Sequence, residues 1–74
     1  MERIEIQGSS NIASIGWEDQ VLEIAFKGRK GNPERVYAYR NVPIEIFHGM
    51  LNSPTKGGYF SIKIKGVYAS MRIA

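Results

Sequence analysis

The stretch Val36–Pro43 constrains the fold most, because it joins two kinds of secondary structure within a few residues. Tyr37 and Tyr39 are two positions apart, so on a β-strand their side chains point to the same face of the sheet. Val42-Pro43 then ends the strand, and a proline fits the first turn of a helix. The sequence therefore predicts a strand with a pair of aromatic side chains, followed directly by a helix.

Two further strands are predicted before this one from the period-two alternation of apolar residues. A polar turn at residues 18–20 separates them, and the segment 28–34, rich in glycine, proline and charge, is predicted to be a loop. In one register a single face of the sheet carries a set of apolar and aromatic residues, which are Ala13, Ile15, Trp17, Leu22, Ile24, Phe26, Tyr37 and Tyr39. We expect this face to form the core.

The apolar period becomes helical after Pro43. Ile44, Phe47 and Leu51 follow the spacing of one helix face, and Ser53-Pro54 ends that helix. Leu22, Ile24, Phe26, Phe47 and Leu51 are therefore expected to be buried together.

Periodicity alone does not decide the secondary structure of three segments. Residues 55–66 fit a strand, but they also fit a helix with Thr55 as its N-cap. Residues 2–7 could be an edge strand or a loose arm, and residues 68–74 could be a final strand or a loose tail.

The composition bounds the function. A chain of 74 residues is one domain, 1–74, and without cysteine it has neither disulfides nor a thiolate zinc site. His48 is the only histidine, with Glu45 as its one acidic neighbour, and the serines have no visible activating base. We expect no enzyme activity, no metal and no cofactor. Without an apolar leader or a membrane-length apolar run, we expect a cytoplasmic protein with no membrane partner.

The charge is unevenly distributed along the chain, which has a net charge of +3. Residues 1–26 have a net charge of −4, whereas residues 27–40 and 56–72 each have a net charge of +4. Such an asymmetry indicates an anionic partner. The candidate nucleic-acid-binding residues are Lys27, Arg29, Lys30, Arg35, Arg40, Lys56, Lys63 and Lys65. The alternative for the loop residues is an ordinary solvated hairpin loop.

The sequence allows two interpretations of Tyr37 and Tyr39. They could stack on unpaired bases, as aromatic residues on sheets do in proteins that bind single strands. In the predicted register, however, they point to the same face of the sheet as Leu22, Ile24 and Phe26, which favours a place in the core.

The chain resembles the KTSC domain in an ordered set of segments that covers roughly residues 9–66. These segments are Ser10-Asn11-Ile12, Ser14-Ile15-Gly16-Trp17, Leu22-Glu23-Ile24-Ala25-Phe26, Tyr37-Ala38-Tyr39 with Val42-Pro43, Phe47, Thr55-Lys56-Gly57-Gly58-Tyr59-Phe60 and Ile64. The family is named for a module at the C-terminus of some lysyl-tRNA synthetases and includes small stand-alone proteins of bacteria and phages. Two features depart from its pattern: the long 28–34 loop, and Thr55 in place of serine.

The resemblance implies that residues 56–65 are helical and suggests RNA as the ligand. With the residue patterns, it predicts an α+β fold: an antiparallel β-meander of three to four strands with two C-terminal helices packed on one face. The predicted function is a non-catalytic binding module for RNA or another nucleic acid. The alternative is a phage or bacterial accessory protein that binds another protein or sequesters a small nucleotide. The sequence leaves open whether the chain forms a homo-oligomer.

Overall fold

A computed structural model of the chain describes residues 1–74 and contains five strands and two helices. The strands are β1 (Ile4–Glu5), β2 (Ile12–Glu18), β3 (Val21–Phe26), β4 (Arg35–Tyr39) and β5 (Ser70–Arg72). The helices are α1 (Ile44–Asn52) and α2 (Lys56–Lys63). All neighbouring strands are antiparallel, in the order β1-β2-β3-β4-β5. The α+β prediction is confirmed, but the strand count was too low, because both terminal segments form edge strands.

The register of the three central strands places the predicted side chains on one face. Ile24 lies opposite both Ile15 and Tyr37, and Leu22 lies opposite both Trp17 and Tyr39. The prediction was wrong at one core position, Ala13. A bulge between residues 12 and 14 shifts the start of β2, so that Ile12, and not Ala13, is the fully buried residue there.

Helix boundaries follow the local sequence. Helix α1 begins directly after Pro43 and ends before Ser53, with Glu45 in its first turn. Within the open segment 55–66, residues Lys56–Lys63 are helical, as the family resemblance implied, and Thr55 is the N-cap by position. The Thr55 side chain, however, makes no capping hydrogen bond. Neither helix has the length and apolarity needed to cross a membrane.

The core lies between one face of the sheet and the two helices. Its fully buried large side chains are Ile12, Ile15, Leu22, Ile24, Val42, Met50 and Ile64. The expected joint burial is correct for Leu22 and Ile24, but Phe26, Phe47 and Leu51 only pack half-buried against this cluster. Two helices of nine and eight residues cannot cover the whole sheet face, so side chains at its margins keep contact with solvent.

Candidate functional site

Three adjoining depressions lie at one end of the sheet, where β2 begins, β3 ends and β4 begins. The first, with a volume of about 370 Å³, is bounded by the partly exposed rings of Phe26 and Phe60 and by Ile12, and we call it the aromatic pocket. Phe60 reaches this wall from α2, and its ring meets that of Phe26 edge to face at 5.2 Å. Two strands and a helix thus build the apolar side of the pocket.

The second depression, of about 340 Å³, has Pro33 as the one apolar side chain in its wall. We call it the arginine pocket, because Arg29, Arg35 and Arg72 line it together with Lys27. Lys27, Arg29 and Arg35 also line the aromatic pocket, so the two depressions are continuous.

The third depression, of about 310 Å³, lies between residues 7–11 and the beginning of α2. We call it the helix pocket. It shares Ser10, Asn11 and Gly57 with the aromatic pocket, and Lys56 contributes a positive charge. The first intrahelical bond runs from the Tyr59 N–H to the Thr55 carbonyl, at 3.0 Å. The N–H groups that precede Tyr59 have no acceptor within the helix, and the Thr55 side chain does not cap them. Their dipoles add to the positive potential.

The three depressions together, which we call the basic cleft, have walls of one charge sign. Six of the ten basic residues line it, and none of the seven acidic residues does. Arg3 and Glu23 form the one side-chain ion pair, at 2.8 Å, on the sheet face that points away from the helices. Depressions with walls of one charge sign focus the field and concentrate counter-ions. The basic cleft can therefore attract and hold an anion.

Backbone hydrogen bonds position the basic residues at this end of the sheet. Lys27 directly follows β3, and its N–H donates to the Asn11 carbonyl at 2.7 Å while its amine donates to the Ser9 carbonyl at 2.5 Å. Arg35 is the first residue of β4 and lies opposite Phe26. Because antiparallel neighbours exchange ends, the residues that follow β3 and those that begin β4 meet at one edge.

The loop between β3 and β4 folds back on itself. The Asn32 N–H donates to the Arg29 carbonyl at 2.7 Å, and Gly31 has a φ of 73°. A β-carbon on Gly28 would overlap the Asn32 carbonyl, so this position needs a glycine. The loop thus forms a compact turn, and Arg29 within it lines both pockets.

The structure brings together five of the eight basic residues that were predicted to bind nucleic acid. Lys27, Arg29, Arg35, Lys56 and Lys65 line the basic cleft. The amine of Lys56 donates to the Ser53 carbonyl at 2.6 Å, so it acts from a fixed position.

Three of the predicted basic residues lie outside the basic cleft. Lys30, Arg40 and Lys63 are exposed but line none of its depressions. Arg40 follows the opposite end of β4, about 17 Å along the strand from Arg35. Sequence reasoning missed Arg72, which β5 places opposite Tyr37. The pairing of the tail with β4 decides its position, and no local pattern in the sequence revealed that pairing.

The two tyrosines belong to the packed face of the sheet. Tyr39 is 6% exposed, and its ring meets Phe60 edge to face at 5.8 Å. Tyr37 is half-buried against Phe26 at 5.9 Å. The buried ring of Tyr39 has no free face for a base.

Burial raises the pKa of the Tyr39 hydroxyl above its ordinary value, and the neighbouring Tyr37 hydroxyl adds to the rise. No fully buried side-chain oxygen lacks a hydrogen-bond partner, and the Tyr39 hydroxyl forms no bond within the chain. This hydroxyl therefore reaches solvent at the rim of the core.

His48 is exposed on α1, away from the basic cleft. No group of three histidine, cysteine, aspartate or glutamate side chains lies close enough to hold a metal ion.

Comparison with known proteins agrees with this architecture. The model of the KTSC domain family matches residues 8–68. A crystal structure of a KTSC domain protein from Yersinia pestis is similar over 99% of this chain and 97% of that one, with a TM-score of 0.83 and 32% sequence identity. No curated protein matches the chain.

Proposed function

The chain belongs to the KTSC family, and we propose that it is a non-catalytic module that binds RNA or another nucleic acid in the basic cleft. The observation that carries this proposal is the distribution of charge: six basic residues and no carboxylate line three continuous depressions. Phosphate groups are the anions that such an arrangement suits best. Arginine can bond phosphate oxygens in pairs, and lysine provides a point charge.

Several of these cations are available to a ligand. Arg29, Arg35 and Lys65 are exposed and have no acidic partner within salt-bridge distance. A cation already paired with a carboxylate would have to exchange one anion for another, which reduces the gain from binding phosphate. Unpaired cations can instead replace the counter-ions condensed on a nucleic acid without giving up a carboxylate partner.

The same lining supports a non-catalytic role. The hydroxyls in the aromatic pocket belong to Ser10 and Ser61, and no histidine or carboxylate lines that pocket to activate them. The chemistry available there is hydrogen bonding and charge neutralisation.

One observation favours a second candidate, the capture of a small nucleotide. A volume of about 370 Å³ falls within the range of small-molecule pockets, and the aromatic pocket combines apolar rings with cations. In this case binding would be stoichiometric and limited to one ligand per chain.

The direct test is a titration of a labelled single-stranded RNA at increasing salt concentrations. If four to six cations contact phosphates, log K should fall with log salt with a slope of about −3 to −4. A measurable affinity with this slope would support the proposal. The proposal fails if the affinity is undetectable at about 50 mM salt, or if it does not change with salt.

A further inference from the structure

The basic cleft is divided into two chemically different parts. The aromatic pocket has two aromatic rings and Ile12 in its wall, whereas the arginine pocket has no aromatic ring and only Pro33 as an apolar side chain. We infer that the basic cleft takes a single unpaired nucleotide unit, with the base in the aromatic pocket and the phosphate in the arginine pocket. This inference rests on the proposed function and specifies its ligand.

The continuity of the two pockets supports this assignment. Lys27, Arg29 and Arg35 line both of them, so one ligand can occupy both at once. A nucleotide has the same asymmetry as the cavity, because a flat, largely apolar base is joined through a sugar to an anion. Inorganic phosphate alone would leave the wall formed by Phe26 and Phe60 without a partner, whereas a base would cover it.

The aromatic pocket also has polar groups that could bond the edge of a base. The side-chain amide of Asn11 makes no hydrogen bond within the chain and offers both donors and an acceptor. Its backbone is held on both sides, since the Asn11 N–H donates to the Ser9 hydroxyl at 3.3 Å and its carbonyl accepts from the Lys27 N–H at 2.7 Å. Asn11, which lines the aromatic pocket, thus offers an unbonded amide on a fixed backbone.

Because the basic cleft is concave, it cannot reach the base edges in the groove of a duplex. A protein reads a duplex with a helix or strand ribbon that projects into a groove, whereas a cavity receives a group that projects from the ligand. In RNA such groups are the unstacked bases of loops, bulges and single strands. A free nucleotide offers the same chemistry, so the test must distinguish a free nucleotide from a nucleotide in a strand.

The experiment is an NMR titration of the whole chain, which at 74 residues is small enough for full assignment. The probes are ribose 5-phosphate, adenosine 5′-monophosphate, a single-stranded RNA pentamer and the same pentamer in a duplex. We expect the backbone signals of Arg29 and Arg35 to move with all four probes. The side-chain amide signal of Asn11 should move only with the two probes that present an unpaired base.

The affinities provide a second readout. Adenosine monophosphate should bind between about 5-fold and 150-fold more tightly than ribose phosphate, the range that base stacking supplies. Asn11→Ala should remove part of this difference without changing the affinity for ribose phosphate. Lys63→Ala, which changes a cation outside the basic cleft, should leave both affinities unchanged.

The outcomes separate the inference from the proposed function. Equal affinity for ribose phosphate and the nucleotide, an unmoved Asn11 amide, or a duplex that binds as tightly as the single strand would overturn the nucleotide assignment while leaving phosphate binding intact. If none of the probes binds, both proposals fail. A pentamer that binds at least about tenfold more tightly than the monophosphate identifies a strand as the ligand, and equal binding identifies a free nucleotide. Either result upholds the inference.

Discussion

The indole N–H of Trp17 donates a hydrogen bond of 2.8 Å to the backbone carbonyl of Val42. Val42 is fully buried, and its own N–H donates to the Gln20 carbonyl at 2.8 Å. These two bonds join the β2–β3 hairpin to the segment that leads from β4 into α1. They lie at the end of the sheet opposite the basic cleft, so structural hydrogen bonds close one end and the basic cleft occupies the other.

Replacement of Trp17 by phenylalanine should destabilise the fold, because it leaves the buried Val42 carbonyl without a donor. The expected loss is about 1–3 kcal/mol, which for a domain of this size lowers the Tm by several degrees or more. Thermal unfolding followed by circular dichroism measures this loss. Tyr68→Phe removes a hydroxyl that has no hydrogen bond in the chain, and it should leave the Tm nearly unchanged. Equal stability of Trp17→Phe and the wild type would show that the bond contributes nothing.

Replacement of Gln20 by glycine should stabilise the fold. Asp19 and Gln20 have φ values of 50° and 68°, so the two-residue β2–β3 turn is of type I′. A left-handed conformation costs about 1–2 kcal/mol for most residues and much less for glycine. Since glycine also loses more backbone entropy on folding, we expect a net gain of at most about 1 kcal/mol in a chemical denaturation curve.

Asn41 provides the matched comparison for this turn. It has a φ of 59°, but asparagine tolerates the left-handed region. Asn41→Gly should therefore change the free energy of unfolding much less than Gln20→Gly does. A loss of stability in Gln20→Gly would contradict the proposed strain.

Replacement of Gly16 by alanine should loosen the N-terminal strand. Gly16 lies on the outer face of β2, where a β-carbon would come within 2.6 Å of the Glu2 carbonyl oxygen. In most strand interiors alanine is the more stable residue, so a loss of stability here would be specific to this close approach. We also expect faster hydrogen exchange at the Ile6 amide, which donates to the Ala13 carbonyl at 2.9 Å. An unchanged exchange rate would contradict the contact.

The stability of the fold should fall at alkaline pH partly through Tyr39. Burial raises its pKa in the folded state, so above the ordinary pKa of about 10 the unfolded chain releases the proton more readily than the folded one. The contribution is therefore fully present below pH ~10 and is lost as the pH rises through the folded-state pKa. Tyr39→Phe should reduce the alkaline decline of the Tm while leaving the Tm at pH 7 nearly unchanged. An identical alkaline decline in both proteins would rule out this residue as a cause.

Local patterns predict the parts of the fold that local forces determine. The alternation in β2, β3 and β4 and the change of period at Pro43 gave the correct elements, since side-chain parity and proline geometry act within a few residues. The bulge at residues 12–14 and the pairing of β5 with β4 depend on contacts distant in sequence. The bulge brought Ile12, and not Ala13, into the core.

The candidate site was predicted in part for the same reason. The two basic segments were visible in the sequence, but charge counts do not say which end of a strand a residue occupies. Arg35 and Arg40 bound the same strand, and only Arg35 lies in the basic cleft. Arg72 joins Arg35 in the basic cleft through the β4–β5 pairing. Lys63 belongs to α2 but lies outside the wall that Phe60 and Lys65 form.

The most direct test of the basic cleft compares two charge-reversed double variants that have the same net charge. Arg29→Glu with Arg35→Glu changes the basic cleft, whereas Lys30→Glu with Lys63→Glu changes two exposed cations outside it. The affinity for a single-stranded RNA is measured across a salt titration for each. The cleft variant should lose at least about a hundredfold in affinity, and its salt slope should become smaller by about 1.4, while the control stays close to the wild type. Equal losses in both variants would mean that the basic cleft is not the binding site.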